Sequence, residues 1–240
     1  RFDNIGRNYY IGRGAGSNLG AGNIAIGDSS GAAFSTNNPS VFVGYRTGVR
    51  TTGLNNTFVG DRAGENVTTG DQNSYFGLFA GRNNTAGSFN TAVGYTVLAN
   101  NTTGSYNTGV GVGALFSNST GSFNVAMGQG ALAANTTGEG NTGLGSRALS
   151  ANTTGIYNVA LGLDALRFNT VGQENVATGY LSMYSNTNGS FNVAYGSKAL
   201  YTNTSGGYNA AMGIEALLLN TTGTFNNAFG AGALRANTTA

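Results

Sequence analysis

Residues 123–128 read Phe123-Asn124-Val125-Ala126-Met127-Gly128, and residues 135–138 read Asn135-Thr136-Thr137-Gly138. Both patterns recur every 17 residues. The Asn of the first pattern, taken here as position 0 of each repeat, and the Gly at position 4 keep this spacing without a slip from Asn56/Gly60 to Asn226/Gly230. A short, fixed period is typical of a solenoid, in which each repeat stacks on its neighbours.

One repeat predicts a short strand. Phe123, Val125 and Met127 alternate with Asn124 and Ala126, which is the period of two expected of a strand.

The rest of the repeat predicts a second extended segment and a turn. Asn135 and Gly138 stand where a type I turn prefers Asn and Gly. Because recurrent Gly leaves too few residues for a stable helix, we expect a second, short extended segment at 131–132. The sequence therefore predicts an all-β fold, a parallel β-solenoid (β-roll) of about 14 rungs with no helix longer than two turns.

The repeat is less regular near the amino terminus. We expect residues 1–55 to form irregular rungs and residues 56–240 a regular array, together one continuous domain. Because the chain begins without Met and stops within a repeat, we also expect it to be a segment of a longer protein.

Composition argues against most catalytic chemistry. Of the 240 residues only 8% are charged, 41 are Gly, and none is Cys or His. Thiolate nucleophiles, zinc–thiolate sites and imidazole bases are thereby excluded. With a net charge of +2, no Lys/Arg cluster and no apolar run of membrane-spanning length, we expect neither a nucleic-acid partner nor membrane insertion. We expect a protein that is not an enzyme and has no cofactor or metal.

Stacked rungs should align identical side chains into columns along the solenoid. We expect a hydrophobic spine made of the Leu column at position 8 and the aromatic column at position 16. Their representatives are Leu132, Leu149, Leu166, Phe123 and Tyr157.

Two Asn columns are predicted to be structural ladders and turn caps, not ligand-binding amides. They are represented by Asn124, Asn141 and Asn158 at position 0, and by Asn135 and Asn152 at position 11. The Asn-Thr-Thr sequence also matches the N-glycosylation acceptor, although a turn explains it more simply.

Small residues suggest self-association. Ala recurs at positions 2 and 7, as in Ala160 and Ala165, on what we expect to be the face opposite the spine. Because small side chains would let another backbone approach closely, we expect a homotrimer.

Two groups of residues could carry chemistry or binding. Tyr180, Tyr184 and Tyr201 fall in a Tyr-rich stretch, and the last two share position 9 on consecutive rungs. We expect them to stack on an exposed column, where they could bind sugars or an apolar surface or could simply fill space.

The second group is acidic. Asp61, Glu65 and Asp71 are the acidic cluster of the amino-terminal part of the chain, and solvated turn residues explain them better than catalysis does.

The Asn-x-Ala-x-Gly pattern of Asn23-Ile24-Ala25-Ile26-Gly27 and Asn90-Thr91-Ala92-Val93-Gly94 resembles the head repeats of trimeric autotransporter adhesins of the YadA type. The Asn-Thr-Thr-Gly arrays are also similar to bacterial tail-fibre-like proteins. The adhesin resemblance implies a left-handed parallel β-roll, three chains around an axis and a surface that binds host or matrix molecules. The repeat here is longer than the family's usual unit of roughly 14 residues, and the extra length falls in the Asn-Thr-Thr-Gly turn.

These observations predict a non-enzymatic extracellular fibre segment at a cell or virion surface, of the adhesin or tail-fibre type. It would act as a rigid spacer and present a surface to an unidentified glycan or protein receptor. One alternative is a self-assembling structural filament subunit. Another is an ice-binding solenoid that uses the Thr columns at positions 12 and 13, which a turn location makes doubtful.

Overall fold

The computed structural model describes residues 2–3, 8–16, 22–33 and 39–239, and it confirms the predicted all-β solenoid. The chain divides into two compact units, Arg1–Ser122 and Phe123–Ala240. The division into irregular and regular residues at 55/56 stays a prediction. No α-helix occurs among the described residues.

The described residues of the first unit form one antiparallel strand and seven parallel ones. They are β1 (Phe2–Asp3), β2 (Asn8–Ile11), β3 (Ile24–Ile26), β4 (Val41–Val43), β5 (Thr57–Val59), β6 (Ser74–Phe76), β7 (Thr91–Val93) and β8 (Thr108–Val110). β1 pairs antiparallel with β2, and β2 to β8 follow one another as parallel neighbours.

The second unit contains seven parallel strands, each paired with the next in chain order. They are β9 (Val125–Met127), β10 (Thr142–Leu144), β11 (Val159–Leu161), β12 (Val176–Thr178), β13 (Val193–Tyr195), β14 (Ala210–Met212) and β15 (Asn227–Phe229). The register places identical repeat positions side by side, as in the pairing of Ala160 with Ala177.

The remainder of each rung is turn, so the second extended segment predicted at 131–132 was wrong. Left-handed residues bend the chain there instead: Leu132 has φ +51° and the equivalent Leu166 has φ +49°. Such a conformation costs an L-residue about 1–2 kcal/mol. Burial of the leucine side chain offsets that cost, since both leucines are fully buried.

The core contains leucine and alanine but not the position-16 aromatics. Leu132, Leu149 and Leu166 are fully buried, as predicted. Phe123 and Tyr157 are 60% and 53% exposed, so their assignment to the spine was wrong. Position 2 is the middle residue of a three-residue strand, and its side chain faces the core. Because side chains alternate along a strand, those at positions 1, 3 and 16 face outward.

Both alanine columns lie in the core instead of on the outer face that we predicted. Ala160 at position 2 and Ala165 at position 7 are fully buried. The interior of the rung is narrow, so alanine fits opposite leucine. The alanines therefore give no support to a trimer contact.

Strands β4 to β6 fill the same core with a different pair of residues. In these rungs position 2 is aromatic and position 8 is Gly, as in Phe42 with Gly48 and Phe58 with Gly64. A methyl group added to Gly48 would lie 2.7 Å from the Phe42 ring. The ring thus occupies the space that leucine fills elsewhere, and the core keeps its volume while the sequence changes.

Truncation of a leucine in the position-8 column should destabilise the protein more when that leucine is more deeply buried. We expect Leu149→Ala to lower the free energy of unfolding by about 2–5 kcal/mol, the usual range for a buried Leu. Leu234 is 50% exposed, so Leu234→Ala should cost well under half as much. Chemical denaturation of both variants measures the difference, and equal losses would contradict this assignment of the core.

Candidate functional site

The position-0 asparagines bind the protein's own backbone. Asn158 Nδ2 donates to Gly172 O at 2.8 Å and to Asn141 Oδ1 at 3.1 Å. Its Oδ1 accepts from the backbone N of Asn175 at 3.1 Å and from Asn175 Nδ2 at 3.0 Å. Asn124, Asn141 and Asn158 are fully buried. Their amides therefore connect rungs and offer no surface to a ligand.

The position-11 asparagines form a second buried ladder. Asn152 Nδ2 donates to Asn135 Oδ1 at 2.8 Å, and to Gly155 O at 3.0 Å within its own turn. Because Asn135 and Asn152 are fully buried, their amide nitrogens lie out of reach of a glycosylating enzyme in the folded unit. The turn interpretation of Asn-Thr-Thr fits this geometry.

The acidic residues of the first unit are each engaged separately. Glu65 is buried and binds Arg46 Nε at 2.7 Å and Arg82 Nε at 2.9 Å. Burial alone would raise the pKa of Glu65, but the two arginine hydrogen bonds outweigh it and lower the pKa below its ordinary value. Asp61 lies 3.8 Å from Arg62 Nε.

Asp71 has a different role. Its Oδ1 accepts from the backbone N of Leu54 at 2.7 Å. The three carboxylates therefore serve local structure in the first unit, and the geometry does not assemble them into an acid–base pair.

The tyrosine candidates of the second unit do stack. Tyr184 and Tyr201 lie with ring centroids 5.2 Å apart and planes 8° apart. Arg167 Nη1 donates to the Tyr184 hydroxyl at 3.3 Å, and Phe168 meets the Tyr184 ring edge-on at 5.0 Å. Stacking uses one face of each tyrosine ring, so this column offers a ligand mainly ring edges and hydroxyl groups.

Tyr180 and Tyr201 line a groove of about 360 Å³. Its polar and aromatic side chains are Tyr180, Lys198, Tyr201, Thr202, Glu215 and Arg235. Tyr180 is 50% exposed, and Tyr184 does not line the groove. The structure thus joins two of the three predicted tyrosines and places the third in the stack beside them.

Sequence reasoning missed the charged members of this groove. Lys198 and Glu215 occupy position 6, and Arg235 occupies position 9. One signal in the sequence could have indicated them. Position 9 holds both Tyr201 and Arg235, so that aromatic and charged side chains share one column of the repeat.

The position-12 threonines are committed to the solenoid. Thr136 Oγ1 donates to Thr153 O at 3.0 Å, and Thr153 Oγ1 donates to Thr170 O at 3.0 Å. These side chains are half-buried, whereas Thr137 at position 13 is exposed. The two Thr columns thus differ in exposure, which does not favour a flat ice-binding array.

The chain matches no protein-family model, no curated protein and no solved structure. In the part of the chain that the structure describes, no three His, Cys, Asp or Glu side chains are grouped so that they could hold a metal ion. None of the described residues belongs to a helix that is long and apolar enough to cross a membrane.

Proposed function

We propose that this chain is a non-enzymatic segment of an extracellular fibre, of the adhesin or tail-fibre type, at a cell or virion surface. It serves as a spacer and presents a receptor-binding surface. The observation that carries this proposal is the linkage of each rung to the next through two buried Asn ladders as well as the strands. Such repeated linkage is suited to a stiff element.

The proposed assembly surface is the outer face of the strands. Positions 1 and 3 of the strands β4 to β15 contain no charged residue. In the second unit several large apolar side chains of this face are exposed, namely Met127, Val193, Tyr195, Met212 and Phe229. Exposed apolar patches that are larger than scattered single residues mark interaction sites.

We assign the homotrimer to the same face. The alanine columns that first suggested it are buried, whereas the outer strand face is apolar and exposed. Around a symmetry axis, three copies would cover this face in each chain. The aromatic column at position 16 lies next to it, and its rings stack on one another, as Tyr208 and Phe225 do at 4.9 Å.

The oligomeric state tests this proposal. Light scattering on the purified protein should give three times the 24.3 kDa chain mass at micromolar concentration. Met212→Glu should reduce the mass to that of one chain, because a carboxylate on the apolar face would be buried without a partner. Electron microscopy of the unmodified protein should show particles of one constant length.

Thr137→Glu is the matched control, since it adds the same charge at an exposed turn residue and should leave the trimer intact. A mass of 24.3 kDa for the unmodified protein would refute the trimer. Particles that lengthen with concentration would instead favour the filament subunit.

A further inference from the structure

The groove beside Tyr180 lies on a different part of the rung from the outer strand face. It is built from positions 5, 6, 9 and 10, which form the turn, and not from positions 1 and 3. Its volume of about 360 Å³ falls within the range of about 300–1,000 Å³ that small-molecule sites occupy. Leu181, Leu218 and Leu219 give it apolar walls between the polar groups.

The charges in the groove do not cancel. Arg235 Nε binds Glu215 Oε2 at 2.8 Å, and this hydrogen bond lowers the pKa of Glu215. The Lys198 charge also contributes to the lowered pKa of Glu215, but its ammonium forms no ion pair with a carboxylate among the described residues. Two cations and one anion leave the groove with one net positive charge.

Aromatic groups flank this charge. Tyr180 is half-exposed, and none of the aromatic pairs in the described part of the chain includes it. Tyr201 gives one ring face to Tyr184, and its edge and hydroxyl group are left for the groove. Tyrosine presents both an apolar ring and a hydroxyl group, which matches the apolar faces and polar rims of a sugar ring.

We propose that this groove binds a saccharide unit that carries a carboxylate, such as a uronic or sialic acid. Lys198 pairs with the carboxylate, and Tyr180 and Tyr201 contact the ring. The proposal rests on the proposed function as a receptor-binding fibre and names the ligand class for one of its surfaces. A nucleic acid fits less well, because it would need several phosphate-binding cations in a row.

Titration calorimetry tests the site with trisaccharides of galacturonate and of mannuronate, with sialyllactose, and with the neutral methyl ester of each. We expect at least one acid to bind at least tenfold more tightly than its ester. Lys198→Gln should weaken that binding about tenfold or more, as expected for the loss of a charge-assisted contact. Tyr180→Ala should also weaken it, and this exposed residue can be truncated without opening the core.

Arg50→Gln is the matched control, because it removes one exposed cation that does not line the groove and should leave binding unchanged. The proposal is overturned if no acid binds with a Kd below about 10 mM. It is also overturned if esters or a hexaglutamate peptide bind as tightly as the acids, or if Lys198→Gln has no more effect than Arg50→Gln. Light scattering on the same samples distinguishes failure of the groove proposal from failure of the proposed fibre function. If the protein is a trimer but binds no saccharide, only the groove proposal is refuted.

Discussion

Replacement of Gly145 by Ala should lower the free energy of unfolding by more than about 3 kcal/mol, a loss that chemical denaturation measures. Gly145 has φ +137°, a region that only Gly occupies without strain. The added Cβ would also lie 2.6 Å from the carbonyl carbon of Gly162 on the next rung. Because that neighbour is backbone, neither rung can relax without breaking the stack.

The matched control is Gly130→Ala, a change of the same size in the same unit. Gly130 has φ +66°, and its nearest neighbour to an added Cβ is the flexible side chain of Arg147 at 3.7 Å. Other rungs tolerate a side chain at this position, so the cost should be about 1–2 kcal/mol. If both variants lose the same stability, close backbone stacking is not what requires Gly at position 4.

Asn158→Ala should lower the free energy of unfolding by about 3–5 kcal/mol. The change removes the donor to Gly172 O and the acceptor for the backbone N of Asn175. Each buried group left without a partner costs about 1–3 kcal/mol. Thermal or chemical denaturation followed by circular dichroism measures the loss.

Asn188→Ala provides the comparison. Asn188 is an exposed turn residue of the same unit. In the described part of the chain, its side-chain amide forms one hydrogen bond, in which Oδ1 accepts from Thr187 Oγ1 at 3.3 Å. We expect its loss to change stability by less than about 0.5 kcal/mol. Similar effects of the two substitutions would mean that the buried amides are not the main connection between rungs.

The period of 17 residues was sufficient to predict the rungs, the parallel register and the buried leucines. Gly145 and Asn158 recur at fixed spacing because each lies against its equivalent on the next rung, and Leu149 recurs because its column fills the core. Hydrophobicity did not indicate which strand face is inside. Phe123 is more apolar than Ala126, yet the narrow interior accepts the small residue and leaves the ring outside.

The groove was only partly predictable for a different reason. Tyr180 and Tyr201 could be singled out because tyrosine departs from the repeat there. The charged residues Lys198, Glu215 and Arg235 come together through the turn between positions 5 and 10. That turn depends on left-handed residues such as Lys198, at φ +56°, and side-chain type alone does not predict this conformation.

The buried Asn ladder also gives each unit an electrical direction. In the second unit every bond between position-11 amides runs the same way, from Asn152 Nδ2 to Asn135 Oδ1 and finally from Asn220 Nδ2 to Asn203 Oδ1. Aligned amide dipoles add head to tail, as peptide groups do in a helix. The Asn135 end is therefore the positive pole and the Asn220 end the negative pole, where Asn220 Oδ1 is a buried acceptor without a hydrogen bond. A cation or a hydrogen-bond donor would be favoured at that second pole, in a fold whose described residues contain no helix.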